Sequence, residues 1–226
     1  WSVLGLLALG LVMVYSSSIA TAEGSKAFGY QPAYFLIRHG VFLCVAMVAA
    51  AVAFQVPVKV WQELAPWLFL AGAVLLAVVL IPGIGRDVNG ARRWLPLGFA
   101  NLQPSELMKL FAVLYAADYT VRKMPHMHDL KKAFLPMAGA MVVIGGLLLK
   151  EPDFGAFVVI ISIAIGILFL GGMRARLFAV LFVVLLAAFA ILIIVSPYRR
   201  DRLFGFMDPW SDAFGKGYQL SHALIA

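Results

Sequence analysis

The residues best suited to chemistry lie in one polar stretch, RDVNGARRWLPLGFANLQPSELMKLF at residues 86–111, between two long apolar runs. Arg92 and Arg93 follow an Asn-Gly turn signal, and the planar guanidinium of arginine offers paired donors that match phosphate oxygens. Trp94 adds a flat amphipathic ring that suits a membrane interface or the face of a sugar. Residue types alone leave two interpretations open, an interfacial loop that binds lipid head groups and a site for a phosphate-bearing ligand. The interfacial loop is the commoner of the two.

The end of this stretch, QPSELMKL, predicts the start of a helix that carries an ion pair. Pro104 suits the first helical turn, where its missing N–H leaves no hydrogen bond unmade, and Glu106 in that turn faces the positive end of the helix dipole. Glu106 and Lys109 are three residues apart, so they share one helix face and can pair. The pair either closes the helix end or lines a polar cavity, and the two roles are compatible.

Two further stretches supply carboxylates. KEPDFG holds Glu151 and Asp153 in a short turn between apolar runs, where Asp153 is placed to cap the next helix. DPWSDAFGKGYQL holds Asp208 and Asp212 in a glycine-bordered loop, and a carboxylate on such a loop can act as a general base. Spacing alone does not distinguish either of these two acids from a residue of an ordinary turn.

The composition indicates which elements must hold these residues. The 226-residue chain is 63% hydrophobic and 13% charged, about half the charge of a soluble domain, which predicts an integral membrane protein. We predict an all-α polytopic transmembrane helix bundle, formed by residues 1–226 as a single domain that is truncated at both ends. About seven spans are expected, at 1–20, 34–54, 64–82, 104–120, 134–149, 156–171 and 177–195.

The distribution of basic residues orients the bundle. Loops 121–133 and 172–176 are short and densely basic, which favours the cytoplasmic side for them. The polar stretch, the KEPDFG turn and residues 196–226 then lie on the periplasmic side. Their basic residues go against the usual bias and need another partner, which a phosphate-bearing ligand supplies. The net charge of +7 does not indicate nucleic acid, because the basic residues are scattered over loops.

NGARRW, QPSELMKL, EPDFG and DPWSDAFGKGYQL, in this order and between these spans, resemble the SEDS proteins (shape, elongation, division and sporulation), which include FtsW and RodA. The resemblance covers nearly the whole chain, and the sequence from NGARRW through QPSE is highly specific. The Pro-Trp pair at 209–210 and the GYQL ending resemble the cell-division branch more than the elongation branch. Family members have about ten spans, which implies that the last ones are absent here.

The resemblance implies an activity, the polymerisation of lipid II into the glycan strands of peptidoglycan at the division septum. Lipid II is an undecaprenyl-diphosphate-linked disaccharide pentapeptide. The implied partners are a class B penicillin-binding protein, which crosslinks the strands as a transpeptidase, and other divisome proteins. The implied location is the bacterial cytoplasmic (inner) membrane, with the catalytic loops in the periplasm.

The resemblance also assigns residues. The family's essential acid corresponds to Asp212, which we expect to act as the general base on the acceptor 4-hydroxyl in a single inversion at the donor carbon. Ala213 follows it where Pro is usual, and Asn101 stands where some division members carry a basic residue. The residues expected to bind the substrate are Trp94, Arg92, Arg93, Glu106, Lys109 and Asp153.

Charge stabilisation of the departing diphosphate has further candidates. Arg199 or Arg200 could assist the two loop arginines. A divalent cation, Mg or Mn, could share the task near Asp153 or Glu151, although no ligand set is legible in the sequence.

Two other classes of function remain open. A lipid II flippase would use the same charged cavity for transport, with Glu106 and Lys109 gating passage. A non-catalytic divisome scaffold would need neither the outer carboxylates nor the arginines, which argues against it.

Overall fold

The computed structural model describes residues 1–24, 26, 29–88, 91–98, 101–127, 129–196, 200, 210 and 221. Seven α-helices are formed by these residues, and each lies on one of the predicted spans. Their bounds are α1 Ser2–Glu23, α2 Tyr34–Gln55, α3 Val58–Val79, α4 Pro104–Lys123, α5 Leu135–Lys150, α6 Phe154–Leu170 and α7 Ala175–Val195. The predicted all-α fold of membrane-spanning helices is confirmed.

Five of the segments are long and apolar enough to cross a membrane: 2–20, 34–55, 58–79, 131–150 and 175–195. The α6 helix is apolar but has 17 residues, about 26 Å at the rise of an α-helix, and is therefore slightly shorter than a bilayer core. The α4 helix has 20 residues but carries charges at both ends. Asp118, which lies within α4, is buried by protein, as is expected for an acidic residue inside a membrane span.

The chain divides into two compact units, Trp1–Trp61 and Gln62–Ala226, so that the boundary falls inside α3. In the first unit α1 packs against α2, and every residue of α2 is at least partly exposed. Phe54 is 92% exposed at the end of α2. Such an apolar surface is expected where lipid, rather than water, is the solvent.

The core of the second unit lies where α4 packs against α6. Small residues permit this approach: Ala112 and Ala116 of α4 and Ala164 of α6 are buried. On α5, Gly145 lies so close to Phe157 that an added Cβ would be 2.7 Å from the phenyl ring. Packing of this kind brings helices of a membrane protein close together without a hydrophobic driving force.

A small antiparallel sheet, which the sequence analysis did not predict, connects α3 to α4. Its strands are β1 Arg86–Val88, β2 Ala91–Pro96 and β3 Asn101–Leu102, in the order β1-β2-β3. Within it Arg86 pairs with Trp94 and Leu95 pairs with Leu102. The sheet pairs backbone N–H and C=O groups of a connecting segment in which Ala91 and Leu95 are buried.

The turn before the sheet depends on glycine. Gly83 has φ +92°, a conformation that glycine adopts without steric cost. A Cβ on Gly85 would lie 1.9 Å from the carbonyl oxygen of Val79, so only glycine fits there. Gly90, the third glycine of this stretch, lies outside the described residues.

Candidate functional site

The start of α4 and the start of α6 are joined by a buried hydrogen-bond network. Asp153 caps α6, and its Oδ1 accepts a hydrogen bond from the Ala156 N–H at 3.2 Å. Its Oδ2 accepts one from the Ser105 hydroxyl at 2.7 Å and one from Gln103 Nε2 at 3.2 Å. Ser105 is fully buried and Asp153 nearly so. The network confirms the predicted cap and shows that QPSELMKL and EPDFG form one structural unit.

Arg93 connects β2 to the turn that follows α5. Its Nε donates a hydrogen bond to the backbone carbonyl of Glu151 at 3.0 Å, and its Nη2 donates one to the carbonyl of Pro152. Carbonyls at the C-terminal end of a helix lack intrahelical partners and carry partial negative charge, so a guanidinium stabilises them. Arg93 therefore serves as a cross-link between the small sheet and the α5–α6 turn.

The alternation of side chains along β2 separates the two adjacent arginines. Ala91, Arg93 and Leu95 share one face of the strand, and both apolar neighbours of Arg93 on that face are buried. Arg92 and Trp94 lie on the other face and are half-buried. The arginine and the tryptophan on this second face are placed next to each other, which suits a ligand with both a phosphate and a sugar.

Arg92 has a weak ionic partner. Its Nε lies 3.9 Å from Oδ2 of Asp87 on β1, and both side chains are about half exposed. An ion pair with that geometry and exposure contributes little to stability. The Arg92 guanidinium is therefore available to an anionic ligand at small cost.

Glu106 and Lys109 form the predicted ion pair in the first turns of α4. Lys109 Nζ lies 2.7 Å from Glu106 Oε2, and Glu106 is the more exposed partner. The pair lies on the same helix as Ser105, which holds Asp153. The pairing is confirmed, while the role of the two charges in binding a substrate stays a prediction.

Glu151 was predicted from the sequence only as one of two acids near which a divalent cation could bind. Its side chain is completely buried, and neither carboxyl oxygen has a hydrogen-bond partner among the described residues. Burial, reinforced by the negative charge of Asp153, raises the pKa of Glu151 from 4.5 to about 8, against a smaller opposing effect of Arg93. Glu151 is therefore mostly an uncharged carboxylic acid at neutral pH.

The two carboxyls of the α5–α6 turn do not suit a divalent cation in this arrangement. Both oxygens of Asp153 already accept hydrogen bonds, and Glu151 retains its proton, whereas a hard cation needs several free anionic oxygens. Within the described ranges no group of three or more His, Cys, Asp or Glu residues could hold a metal ion. The cation stays a prediction, and no step below depends on it.

A second polar cluster lies at the other end of α4. Nε and Nη2 of Arg122 both lie 2.8 Å from Oδ2 of buried Asp118, and the Tyr119 hydroxyl donates to the carbonyl of Ala133 at 2.7 Å. An α-helix of 20 residues is about 30 Å long, so this cluster is far from Ser105. Loop 121–133 and the KEPDFG turn, which were predicted to lie on opposite sides of the membrane, thus contact opposite ends of α4.

An apolar cavity of about 470 Å³ lies between α5, α6 and α7. None of the described residues that line it is charged, and Met141, Phe157 and Leu185 are typical of them. Binding a diphosphate and moving a proton both require polar groups, so this cavity is not the candidate site. The polar cluster around β2, the start of α4 and the α5–α6 turn is.

The structure brings together most of the residues that the sequence singled out. Asp208, Asp212 and Arg199 lie outside the described residues, so their predicted roles stay predictions. Gln103 and Ser105 were not identified as part of a site. Their position could have identified them, because both flank Pro104 at the start of a helix that also carries the Glu106–Lys109 pair.

The whole chain matches a known protein family. A family model described as "Cell cycle protein", FTSW_RODA_SPOVE, matches residues 1–226. A protein of Aromatoleum aromaticum named "Probable peptidoglycan glycosyltransferase FtsW" is 67% identical over 226 residues, covering 100% of this chain and 55% of its own length. A protein of Burkholderia thailandensis with the same name is 53% identical, covering 100% of this chain and 49% of its own length. The chain thus spans about half the length of the curated relatives it matches.

Solved structures resemble the fold as well. One is a chain of a peptidoglycan synthase complex, described for the structural coordination of polymerization and crosslinking. It is 30% identical with a TM-score of 0.67, over 96% of this chain and 64% of that chain. The rod shape determining protein RodA of Thermus thermophilus is 27% identical with a TM-score of 0.60, over 83% of this chain and 59% of that chain.

Proposed function

The chain belongs to the FtsW/RodA/SpoVE family of cell cycle proteins and is a multi-pass membrane protein, and from this premise we propose that it is part of a peptidoglycan glycosyltransferase that polymerises lipid II at the division septum. The relatives named probable peptidoglycan glycosyltransferase FtsW support the reaction class. The proposed location is the cytoplasmic membrane, with β1–β3 and the α5–α6 turn on the periplasmic side, where the glycan is built.

One observation carries the proposal: the polar outer stretch, the start of α4 and the α5–α6 turn converge on a single cluster. Arg93 donates to Glu151 and Pro152, and Ser105 donates to Asp153. The cross-links fix β2 so that its other face presents Arg92 and Trp94 together. A cation beside an aromatic ring suits a diphosphate joined to a sugar, which is the head group of lipid II.

In the proposed reaction, the 4-hydroxyl oxygen of the acceptor sugar attacks the anomeric carbon of the donor glycan. The bond from that carbon to the diphosphate oxygen breaks, and the undecaprenyl diphosphate leaves with the electron pair. Asp212 takes the hydroxyl proton as general base, so no second, nucleophilic carboxylate is needed for a single inversion. Arg92 stabilises the charge that develops on the departing diphosphate.

The proposal divides the roles of the conspicuous residues. Arg92 and Trp94 contact the substrate, and Glu106 and Lys109 line the approach to it. Arg93 and Asp153 hold the cluster together, because their donors and acceptors are used within the chain. The proposed protein partner is a class B penicillin-binding protein, and the peptidoglycan synthase complex among the similar structures supports such a pairing.

The test is lipid II polymerisation by the purified full-length protein with its transpeptidase partner. Asp212→Asn is expected to abolish glycan synthesis, and Asp208→Asn in the same loop is the matched control, expected to retain it. Arg92→Gln is expected to lower the rate by about 10²–10³. Normal synthesis by Asp212→Asn would reject the assignment of the base.

The same preparation distinguishes a polymerase from the two alternative functions, a flippase and a scaffold. If the protein is a flippase, it moves lipid II across vesicle membranes, and Asp212→Asn leaves that transport intact. Wild type then forms no glycan. A scaffold would tolerate substitutions in the polar cluster and respond to substitutions on the lipid-facing helices. Glycan synthesis that depends on Asp212 contradicts both.

A further inference from the structure

Glu151 is the least satisfied polar side chain of the cluster. Its carboxyl group is completely buried, and no described residue donates a hydrogen bond to it. Asp153, two positions further on, receives three hydrogen bonds, from Gln103, Ser105 and the Ala156 N–H. The network thus satisfies one acid of the turn and leaves the other without a donor, which an ionised carboxylate would require.

Arg93, the cation that acts on the Glu151 carboxyl, is hydrogen-bonded to other groups. The charged groups that act on Glu151 are Asp153, at the start of α6, and Arg93, from β2. Arg93 donates to the backbone carbonyls of Glu151 and Pro152 instead of to the Glu151 carboxyl. The Arg93 guanidinium is thus bonded to two carbonyls of the turn, and it also acts electrostatically on the unpaired Glu151 carboxyl.

We propose that Glu151 is a positioning residue whose carboxyl must keep its proton for Arg93 to remain on the two carbonyls and hold β2 in place. An ionised Glu151 would be a buried charge without donors, and it would draw the Arg93 guanidinium away from the carbonyls. Because Arg92 and Trp94 flank Arg93 on β2, a shift of Arg93 would displace both residues that are proposed to contact the substrate. Burial of Glu151 thereby maintains the shape of the substrate-binding face.

This inference rests on the proposed function only for its kinetic consequence. With a pKa of about 8, Glu151 is mostly protonated at pH 7, whereas only about a tenth remains protonated at pH 9. If only the protonated form holds β2 correctly, the apparent KM for lipid II rises about tenfold between these pH values in wild type. Glu151→Gln cannot ionise, so its KM should stay nearly constant over the same range.

The first test measures structure and does not depend on activity. Amide hydrogen exchange of the β2 peptide is compared between wild type and Glu151→Gln in the full-length protein at pH 7 and at pH 9. Both proteins are compared at the same pH, so the chemical exchange rate cancels. We expect equal protection of β2 at pH 7 and weaker protection in wild type than in Glu151→Gln at pH 9. Equal protection at both pH values would overturn the inference.

The second test adds kinetics and controls. Glu63→Gln, the same substitution at an exposed glutamate of α3, should follow the wild-type profiles of KM and of exchange. If Glu151→Gln does not fold, wild type alone is decisive: β2 must lose protection relative to α6 between pH 7 and pH 9, and constant relative protection overturns the inference. Absence of polymerisation together with the expected exchange difference would count against the proposed function alone.

Discussion

Ser105, in the first turn of α4, donates a hydrogen bond of 2.7 Å to Asp153, the N-cap of α6, and both side chains are buried. This contact joins two motifs that are 48 residues apart in the chain. A buried carboxylate is stable only when donors surround it, and the two flanking donors are the Gln103 amide and the Ala156 N–H. The start of α4 thus supplies two of the three hydrogen bonds that the buried Asp153 side chain accepts.

The first prediction concerns this donor. Ser105→Ala should lower the free energy of unfolding by about 1–3 kcal/mol, because it leaves one oxygen of a buried carboxylate short of a hydrogen bond. Thermal unfolding of the purified protein in detergent measures the effect. Ser162→Ala, at an exposed serine of α6, is the control and should stay within about 0.5 kcal/mol of wild type. Equal effects of the two substitutions would contradict the network.

The second prediction separates the two adjacent arginines by stability. Arg93→Gln removes charge-assisted hydrogen bonds to two backbone carbonyls, each of which contributes about 1.5–3 kcal/mol, so it should lower the melting temperature clearly. Arg92→Gln breaks only a weak exposed ion pair and should change stability by less than about 1 kcal/mol. Comparing the melting temperatures of the two variants tests whether Arg92 and Arg93 lie on opposite faces of β2. Indistinguishable values would show that the strand alternation does not divide the two residues in this way.

The third prediction concerns the ion pair of α4. Glu106→Gln and Lys109→Gln should each cost less than about 1 kcal/mol of stability, because both partners are partly exposed. Each should nevertheless lower the rate of lipid II polymerisation, if the charges line the approach of the substrate. Measuring melting temperature and rate on the same preparations decides the matter. Full activity in both variants would leave the pair a structural feature of the helix start.

The fourth prediction is a pH dependence of stability. The carboxyl of Glu151 keeps its proton in the folded protein up to about pH 8, whereas in the unfolded chain it loses it near 4.5. Unfolding between these values therefore releases a proton, so wild type loses stability as pH rises through this window, by up to about 1.4 kcal/mol per pH unit. Above about pH 8 this contribution is constant.

Glu151→Gln does not titrate and should lack that loss. The melting temperature of the variant should rise relative to that of wild type from pH 5 to pH 8, and the difference should then stay constant. Glu63→Gln serves as the control for removing one acid elsewhere. A difference that stays constant over the whole range would mean that the Glu151 carboxyl is ionised in the folded protein.

Local features could be predicted from the sequence. The apolar runs identified seven helices because a span needs a long uninterrupted stretch, and the Asp153 cap and the Glu106–Lys109 pair depend on residues at most four positions apart. The resemblance in motifs identified the family before any geometry was known.

Features that depend on contacts between distant parts of the chain could not be predicted from the sequence. The contact between Ser105 and Asp153 exists only because α4 packs against α6, and no spacing rule connects the two residues. The different roles of Arg92 and Arg93 follow from the period of two along β2, which became visible only when that segment proved to be a strand. The burial of Glu151 has the same origin, since an acid in a Pro-containing turn is ordinarily solvated.

The central claim is that the face of β2 that carries Arg92 and Trp94 contacts a lipid-linked diphosphate sugar. The most direct measurement replaces Trp94 with the photo-crosslinker p-benzoylphenylalanine in the full-length protein and adds lipid II labelled on its sugar. Trp67, a 70% exposed tryptophan of α3, receives the same replacement as the control for non-specific crosslinking. We predict a crosslink at position 94 that unlabelled lipid II competes away, and none of that kind at position 67. Equal crosslinking at both positions, or none at position 94 in a protein that polymerises lipid II, would contradict the claim.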